Sequence, residues 1–462
     1  MRTRLILAAV ASLAPSALAQ CVPSWETAIG IPGVTSTGYI GPMIVFNAGA
    51  GDRLFAGGSF TSIAGAQRRA LASWNPATNT WSDVGGGVFT QFTSSFVAAL
   101  HAADLALGDA TELLVGGNFG TAGGQPNSNH LARWNGTRWA GFPGGQPNSA
   151  VWSIASFQGQ IFIGGGFTSV GTTVANGIAR WDSEGAWQPV GSGMGGGFSP
   201  TVFVMRTFND GSGEKLYVAG RYASIGGVTG MIARWTGSTW ENVGGGISPA
   251  GGNVLANIES MAVFDDGSGP ALYVGGYDLL PAQSPMCSVA KWDGVRWHAV
   301  GQYLGGRTTS LAVFNDGTGP ALYAGGTAQP GINYVARLQN NQWVTLSGGV
   351  GQPGGPPWPS VFGLLAWNDR LFVAGDFDYV GAAQMPASGI AVWRGCAPPP
   401  TPCDPDVNCD GNVDQDDIAC LTQAVGGNSS CICTNPDFNR DGNVDQDDID
   451  ALAQVVGGAP CP

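Results

Sequence analysis

Charge is scarce in this sequence: Asp, Glu, Lys and Arg together make up 11% of its 462 residues. No basic stripe runs along it, which excludes the electrostatic footprint of a nucleic-acid binder. Histidine is scarcer still, limited to His101, His130 and His298, and none stands near a nucleophile motif. Nor does any stretch reach 18 unbroken apolar residues, so no membrane-spanning helix is expected in the mature chain. The apolar run at the N-terminus is short and has different flanks. Arg2 and Arg4 precede Leu5 to Leu13, and Ala17-Leu18-Ala19 offers small residues for cleavage before Gln20. That pattern is a secretory signal peptide over residues 1–19. A lipoprotein signal would place a small residue before Cys21, where Gln20 stands, so a secreted, extracellular or surface-associated protein without a lipid anchor is expected.

Glycine, by contrast, is abundant: 75 residues, about twice the usual share of ~7%. Many turns and short strands follow from such a composition. The net charge of −13 is concentrated at one end. Between Cys403 and Pro462 there are twelve Asp, no Glu and one basic residue, Arg440; the remainder carries 20 acids against 18 bases. Seven of the nine cysteines also lie between Cys396 and Cys461, leaving Cys21 and Cys287 as outliers. In an exported chain, such density reads as disulfides in a module too small to hold itself by burial.

A strand-like pentamer recurs seven times, beginning at Leu54, Leu113, Ile161, Leu216, Leu272, Leu322 and Leu371 and ending in Gly-Gly or Ala-Gly. The intervals are 59, 48, 55, 56, 50 and 49 residues, a period of blade size. An apolar run precedes each pentamer, joined to it in several copies by an Asp-Gly turn suited to a tight hairpin (Asp210, Asp266, Asp316). A third strand ends in Trp74, Trp134, Trp181, Trp235, Trp292 or Trp393, with Leu338 in the sixth copy. A fourth has its own Trp: Trp81, Trp139, Trp187, Trp240, Trp297 or Trp343. The seventh copy stops after Trp393. Its missing strand is expected at the mature N-terminus, where Ser24-Trp25-Glu26 reads like Thr239-Trp240-Glu241. The fold class that follows is all-β, a seven-bladed β-propeller of four-stranded blades over residues 20–396, closed by the N-terminal strand so that no edge stays exposed. His298 falls on a fourth strand and His130 on a third, both read as structural. The repeat, with Phe167-Thr-Ser-Val-Gly171 and Ile178-Ala-Arg-Trp-Asp182, resembles Kelch-like propellers of the fungal cortical polarity-marker type. That resemblance implies a fold but no particular function, since propellers host binders and enzymes alike.

After a Pro-rich spacer at 397–402, two segments of the 403–462 module repeat in phase. Each presents oxygen donors at positions 1, 3, 5, 9 and 12 of a twelve-residue loop, with Gly at position 6. This is a calcium-loop pattern, and two ions are expected. Position 12 is Asp rather than Glu, and Pro405 and Pro436 bar an incoming helix, leaving outgoing helices over Ile418 to Val425 and Ile449 to Val456. In both respects the module resembles a type I dockerin. The resemblance implies ligands at Asp406, Asn408, Asp410, Asn412, Asp414 and Asp417, and at Asp437, Asn439, Asp441, Asn443, Asp445 and Asp448. It also implies docking onto a cohesin-like receptor or surface scaffold through Gln415, Asp416, Gln446 and Asp447, although many dockerins have Ser-Thr-like pairs there.

Thirteen of the sixteen tryptophans occupy repeat positions and read as packing between blades. Trp358 stands outside the repeat, in Gly354-Gly-Pro-Pro-Trp-Pro359, and is a candidate ligand contact. The Asp-Gly turns hold too few carboxylates for calcium and read as hairpins. Cys21 lies four residues before Trp25 and Cys396 three after Trp393, placing both at the tip of one hairpin and within disulfide reach. The rival pairing is Cys396 with Cys403, and Cys287 is expected to be free. The leading functional expectation is a secreted, non-catalytic binding or surface-display protein, whose propeller recognises a protein or glycan and whose dockerin-like module tethers it. The alternative is a glycan-active hydrolase or lyase displayed the same way, with acids or an Arg/His cluster converging at the propeller mouth.

Overall fold

The computed structural model describes residues 23–27, 34, 38–49, 51–90, 95–105, 111–182, 184–327, 333–352, 359–396, 407, 415–425 and 446–456. Two compact units divide the chain, Met1–Gly395 and Cys396–Pro462. The first is built of strands; the second contributes two helices. No described helix is long and apolar enough to cross a membrane.

Seven four-stranded antiparallel meanders recur through the first unit; a single Thr327–Ser360 pair joins the sixth to the seventh, Ile247–Pro249 adds a strand to the fifth, and short two- and three-stranded sheets lie between them. Their first strands are Tyr39–Asn47, Phe96–Ala103, Val151–Phe157, Thr201–Asn209, Asn257–Asp265, Arg307–Asn315 and Ser360–Trp367. Each first strand pairs with the pentamer-bearing second, that with the third, and the third with the fourth. Six sheets take all four strands from consecutive sequence. The seventh reaches only Ile390–Arg394, and its fourth strand is Ser24–Glu26. Ser24 lies opposite Arg394, Trp25 opposite Trp393 and Glu26 opposite Val392. First strands of successive sheets pack side by side, and the seventh neighbours the first, so the order of sheets closes on itself.

The paired glycines explain how sheets approach so closely. A Cβ on the first glycine would strike the next sheet: Gly57 would meet Val97 Cγ1 at 2.4 Å, Gly164 would meet Val202 Cγ1 at 2.5 Å, and Gly325 would meet Val361 Cγ1 at 2.4 Å. A Cβ on the second would strike its own partner strand, at 2.1 Å from Tyr39 O for Gly58 and 2.1 Å from Thr201 O for Gly220. The first glycine thus admits a β-branched neighbour, and the second admits an irregular partner strand.

Fourth-strand tryptophans bolt sheet to sheet. The indole N–H of Trp139 donates to Val84 O (3.0 Å), that of Trp240 to Val190 O (3.2 Å), and that of Trp297 to Val243 O (2.8 Å). Trp343 donates to Val300 O (3.2 Å), and Trp25 repeats the contact on Leu346 O (3.2 Å) across the joint between chain ends. Trp25, Trp139, Trp297 and Trp343 combine a buried ring with a satisfied donor, Trp240 is half-buried, and Trp187 is buried with its N–H unpartnered. Glu26 adds a charge contact at the joint, accepting from Arg394 Nη1 at 2.9 Å.

In the second unit, α1 (Gln415–Val425) and α2 (Gln446–Val456) pack through Cys420, Leu421, Ile449 and Leu452, with Val407 beside them. Both helices begin three residues earlier than the sequence pattern suggested. Asp416 and Asp417 fall in the first turn of α1, where carboxylates offset the exposed N–H groups and extend the helix toward its N-terminus.

Candidate functional site

The second glycine of each pair exists because the strand opposite it is bulged. Register breaks occur in all seven first strands: at Ile40/Met43, Gly116/Gly117 (opposite Val97 and Ala99), Val151/Ser153, Val202/Val204, Ile258/Ser260, Thr308/Ser310 and Val361/Gly363. A bulge leaves its extra residue without a cross-strand partner and re-aims its side chain. The residues so released are Gly41-Pro42, Ala98, Trp152, Phe203, Glu259, Thr309 and Phe362. All of them line one cavity of about 790 Å³. Every sheet therefore delivers a residue to the same space.

The lining is chemically lopsided. Sheets seven, one, two, three and four supply Phe362, Tyr39, Phe96, Trp152 and Phe203, in ring order. Tyr39 and Phe362 centroids lie 4.9 Å apart, Phe96 and Trp152 5.1 Å, and Trp152 and Phe203 5.4 Å. All five are half-buried. Burial also raises the Tyr39 hydroxyl pKa, so the ring stays neutral. Arg221 lies over Phe203, its guanidinium carbon 5.6 Å from the ring centre. Sheets five and six supply Glu259, Arg307, Thr309 and Thr327 instead. Arg307 grips Glu259 through Nε (2.7 Å) and Nη2, and Asn257 Nδ2 donates to the same carboxylate at 2.7 Å.

Hydroxyls beside the bulges lock neighbouring sheets. Met205 N donates to Ser153 Oγ (3.0 Å), Ser260 Oγ to Thr308 O (3.1 Å), and Leu364 N to Ser310 Oγ (3.0 Å). Walls fixed in this way hold a ligand site at small entropic cost.

Elsewhere in the first unit, several ionisable groups are held in local pairs. The Asp-Gly turns hold a recurring Asp–Tyr–cation set. Asp210 accepts from Tyr217 (2.7 Å) and pairs with Arg234; Asp266 accepts from Tyr273 (2.8 Å) and Lys291 (2.6 Å); Asp316 accepts from Tyr323 (2.9 Å), with Arg337 at 3.7 Å. Burial alone would raise the Asp210 pKa. Hydrogen bonds from Ser212 and Tyr217 and the Arg234 charge win, holding it at about 2. His298 Nε2 lies 2.6 Å from Asp293, on a fourth strand as expected. His130 departs from expectation: it precedes the third strand Leu131–Trp134 and has a left-handed φ of 62°. A second cavity of about 920 Å³ opens between sheets five and six, lined by Asp266, Lys291, Asp293, His298 and Arg337. Within it Lys291 pairs with Asp266 and His298 with Asp293, and only two sheets build it. His101 Nε2 meets Ser156 Oγ at 2.7 Å across sheets two and three. Among the described residues no carboxylate orients that ring, as a nucleophilic pair would require.

In the second unit, Asp417 is fully buried in the first turn of α1, while Gln415 and Asp416 are exposed. Asp406, Asn408, Asp410, Asn412, Asp414, Asp437, Asn439, Asp441, Asn443 and Asp445 lie outside the described residues; Gln446, Asp447 and Asp448 open α2. Trp358, Cys21 and Cys403 also lie outside them. Cys396 and Cys420 are disulfide-bonded, and Cys287 is buried and free.

No protein-family model and no curated protein matches the chain. Among solved structures, the chain is similar to the extracellular domain of a hybrid two-component system from B. thetaiotaomicron, at 11% identity and a TM-score of 0.20, covering 72% of this chain and 51% of that one. It is also similar to a Trypanosoma rangeli sialidase in complex with 2,3-difluorosialic acid, at 9% identity and a TM-score of 0.29, covering 77% and 54%. The chain spans about half the length of each, and likenesses this weak carry no functional argument.

Trp152 and Phe203 escape a reading based on tryptophan spacing, because they belong to no Trp register. The signal that finds them is internal. When the first strands are aligned on the partner of the second glycine, Val97, Val151, Val202, Ile258, Thr308 and Val361 form one column. The column after it runs Ala98, Trp152, Phe203, Glu259, Thr309, Phe362 and follows no pattern.

Proposed function

We propose that this chain is an exported, non-catalytic binding protein: a seven-bladed β-propeller that holds its ligand in the axial cavity, followed by a dockerin-like calcium module that tethers it. The observation that carries this reading is the convergence of one bulge residue per sheet on a single space. Residues released from cross-strand pairing in all seven repeats line a concave, mostly apolar site with a few placed polar groups. Glu259 is the single carboxylate among the residues lining it, and it is bound to Arg307. Glycoside hydrolysis by the common route needs two carboxylates across the bond, so the lining favours binding over cleavage.

The donor set of the second unit fits calcium. Every side-chain ligand is an oxygen, and Asp417, at loop position 12, is a carboxylate buried at a helix start. Asp406, Asn408, Asp410, Asn412, Asp414 and Asp417 would hold one ion, and Asp437, Asn439, Asp441, Asn443, Asp445 and Asp448 the other. Calcium would supply the charge that lets clustered carboxylates fold together. Gln415, Asp416, Gln446 and Asp447 would then face a cohesin-type receptor.

The test is a glycan and protein array probed with the full chain, followed by Trp152→Ala and Phe203→Ala on any ligand found. Both variants should lose at least tenfold in affinity. Ligand binding unchanged in both would place the site elsewhere and end the axial-cavity reading.

A further inference from the structure

We propose that the axial cavity takes an acidic saccharide, a pyranose chain bearing uronate carboxylates, with Arg221 as the carboxylate receptor. The inference rests on the reading of the cavity as a binding site and adds the ligand's class. Two independent features of the wall carry it.

The first is the uncompensated charge. Among the lining residues Arg221 and Arg307 are positive and Glu259 is negative. Arg307 spends its charge on Glu259. Arg221 does not: its Nε donates to Ser199 O at 3.3 Å and its plane lies over Phe203. No carboxylate among the described residues pairs with it. Its guanidinium is thus left free to receive an anion entering the cavity, and its fork geometry suits a carboxylate. The residue that holds Arg221 is itself strained. Ser199 sits at a left-handed φ of 49°, a region non-glycine residues seldom occupy. Its carbonyl accepts from both Arg221 Nε and Thr201 Oγ1 (3.1 Å).

The second is the aromatic arc beside it. Five rings from five consecutive sheets line one side of the space, with centroid spacings of 4.9–5.4 Å for Tyr39–Phe362, Phe96–Trp152 and Trp152–Phe203. A pyranose presents C–H groups of partial positive charge on its flat face, complementary to the negative face of a ring. Its hydroxyls would meet Ser149, Thr168 and Thr327, which line the same space. A flat apolar face, many hydroxyls and a carboxylate coincide in a uronate sugar. A peptide carboxylate would satisfy Arg221 and leave the hydroxyl-rich wall without matching partners.

The experiment uses the full chain, loaded with calcium and dialysed free of excess ion, on an immobilised panel. Each uronate oligosaccharide is paired there with its methyl ester, and carboxyl-terminated peptides are included. The acid form should bind at least tenfold tighter than the ester. Arg221→Gln should reduce the acid to the ester's level, and Trp152→Ala should weaken both. Equal binding of acid and ester would overturn the uronate assignment and leave the axial-cavity reading standing. Binding of peptides and no saccharide would overturn the saccharide class. Failure of every probe would overturn both readings together.

Discussion

Replacing Gly220 with alanine would test whether the bulges, and hence the cavity wall, depend on the second glycine of each pair. A Cβ there would lie 2.1 Å from Thr201 O, 2.9 Å from Phe203 N and 3.0 Å from Val202 Cα. A carbon meets a carbonyl oxygen comfortably at ~3.3 Å or more, so the strands would have to part by roughly an ångström. All three obstacles are backbone atoms, which cannot rotate aside. Overpacking of a dense interior costs typically ~1–3 kcal/mol, and this site should reach the top of that range. Gly166 is the control on the same cavity wall. Its Cβ would find nothing nearer than Thr201 Oγ1 at 3.7 Å, and its φ is not left-handed. Alanine there should be neutral, or stabilising by up to ~1 kcal/mol through the unfolded chain. Urea unfolding followed by tryptophan fluorescence reads both, as a midpoint shift at constant m. A Gly220→Ala variant within about 0.5 kcal/mol of the parent, the scale of an ordinary surface change, would refute the claim that the second glycine is required by the bulge.

Trp297→Phe should cost about 1–3 kcal/mol by leaving the buried Val243 carbonyl without its 2.8 Å donor; a thermal midpoint equal to the parent's would deny these indoles a bolting role. The Asp210 carboxyl is held at about 2 when folded and has a reference pKa of 3.8. Its contribution is therefore present above pH 4 and lost as pH falls toward 2, an effect of about 2 kcal/mol that Asp210→Asn should remove from an acid-unfolding curve. Calcium should raise the helical circular-dichroism signal of the full chain with two ions bound, and Asp410→Ala and Asp441→Ala should each abolish one; fewer than one ion bound to the parent would refute the calcium loops. Deleting residues 20–32 should expose the edge of Ile390–Arg394 and cause aggregation, and a deletion product that stays monomeric with unchanged heat stability would show the joint to be dispensable.

The repeat was legible because one constraint recurs seven times: a strand opposite a bulge ends its pentamer in Gly, preceded by Gly or Ala where the next sheet packs close. The pairing of Ser24–Glu26 with Ile390–Arg394 was equally legible, since Trp25 stands in a segment that copies the Trp240 neighbourhood while the seventh copy lacks its last strand. The cavity wall was not. Trp152, Phe203 and Glu259 share a place in the fold and no chemistry, so a search for recurring residue types passes over them. Arg221 is recognisable only once Phe203 and Ser199 are set beside it in space. The helix starts at Gln415 and Gln446 were misread by one turn, because polar residues in a first helical turn look like the end of a loop.

The joint between the chain's ends also governs the order of assembly. Ser24–Glu26 is synthesised first and placed last: its partner, Ile390–Arg394, does not exist until nearly four hundred residues have emerged. Six sheets can form from local sequence as the chain grows, but the seventh waits on a contact of very long sequence separation, which is slow to find. Once made, that contact is the gate through which unfolding must also pass, since every other sheet is a closed local meander gripped on both sides. The lifetime of the folded ring should thus be set at a three-residue strand, and a permuted chain that begins at a sheet boundary would fold faster and hold its shape for less time.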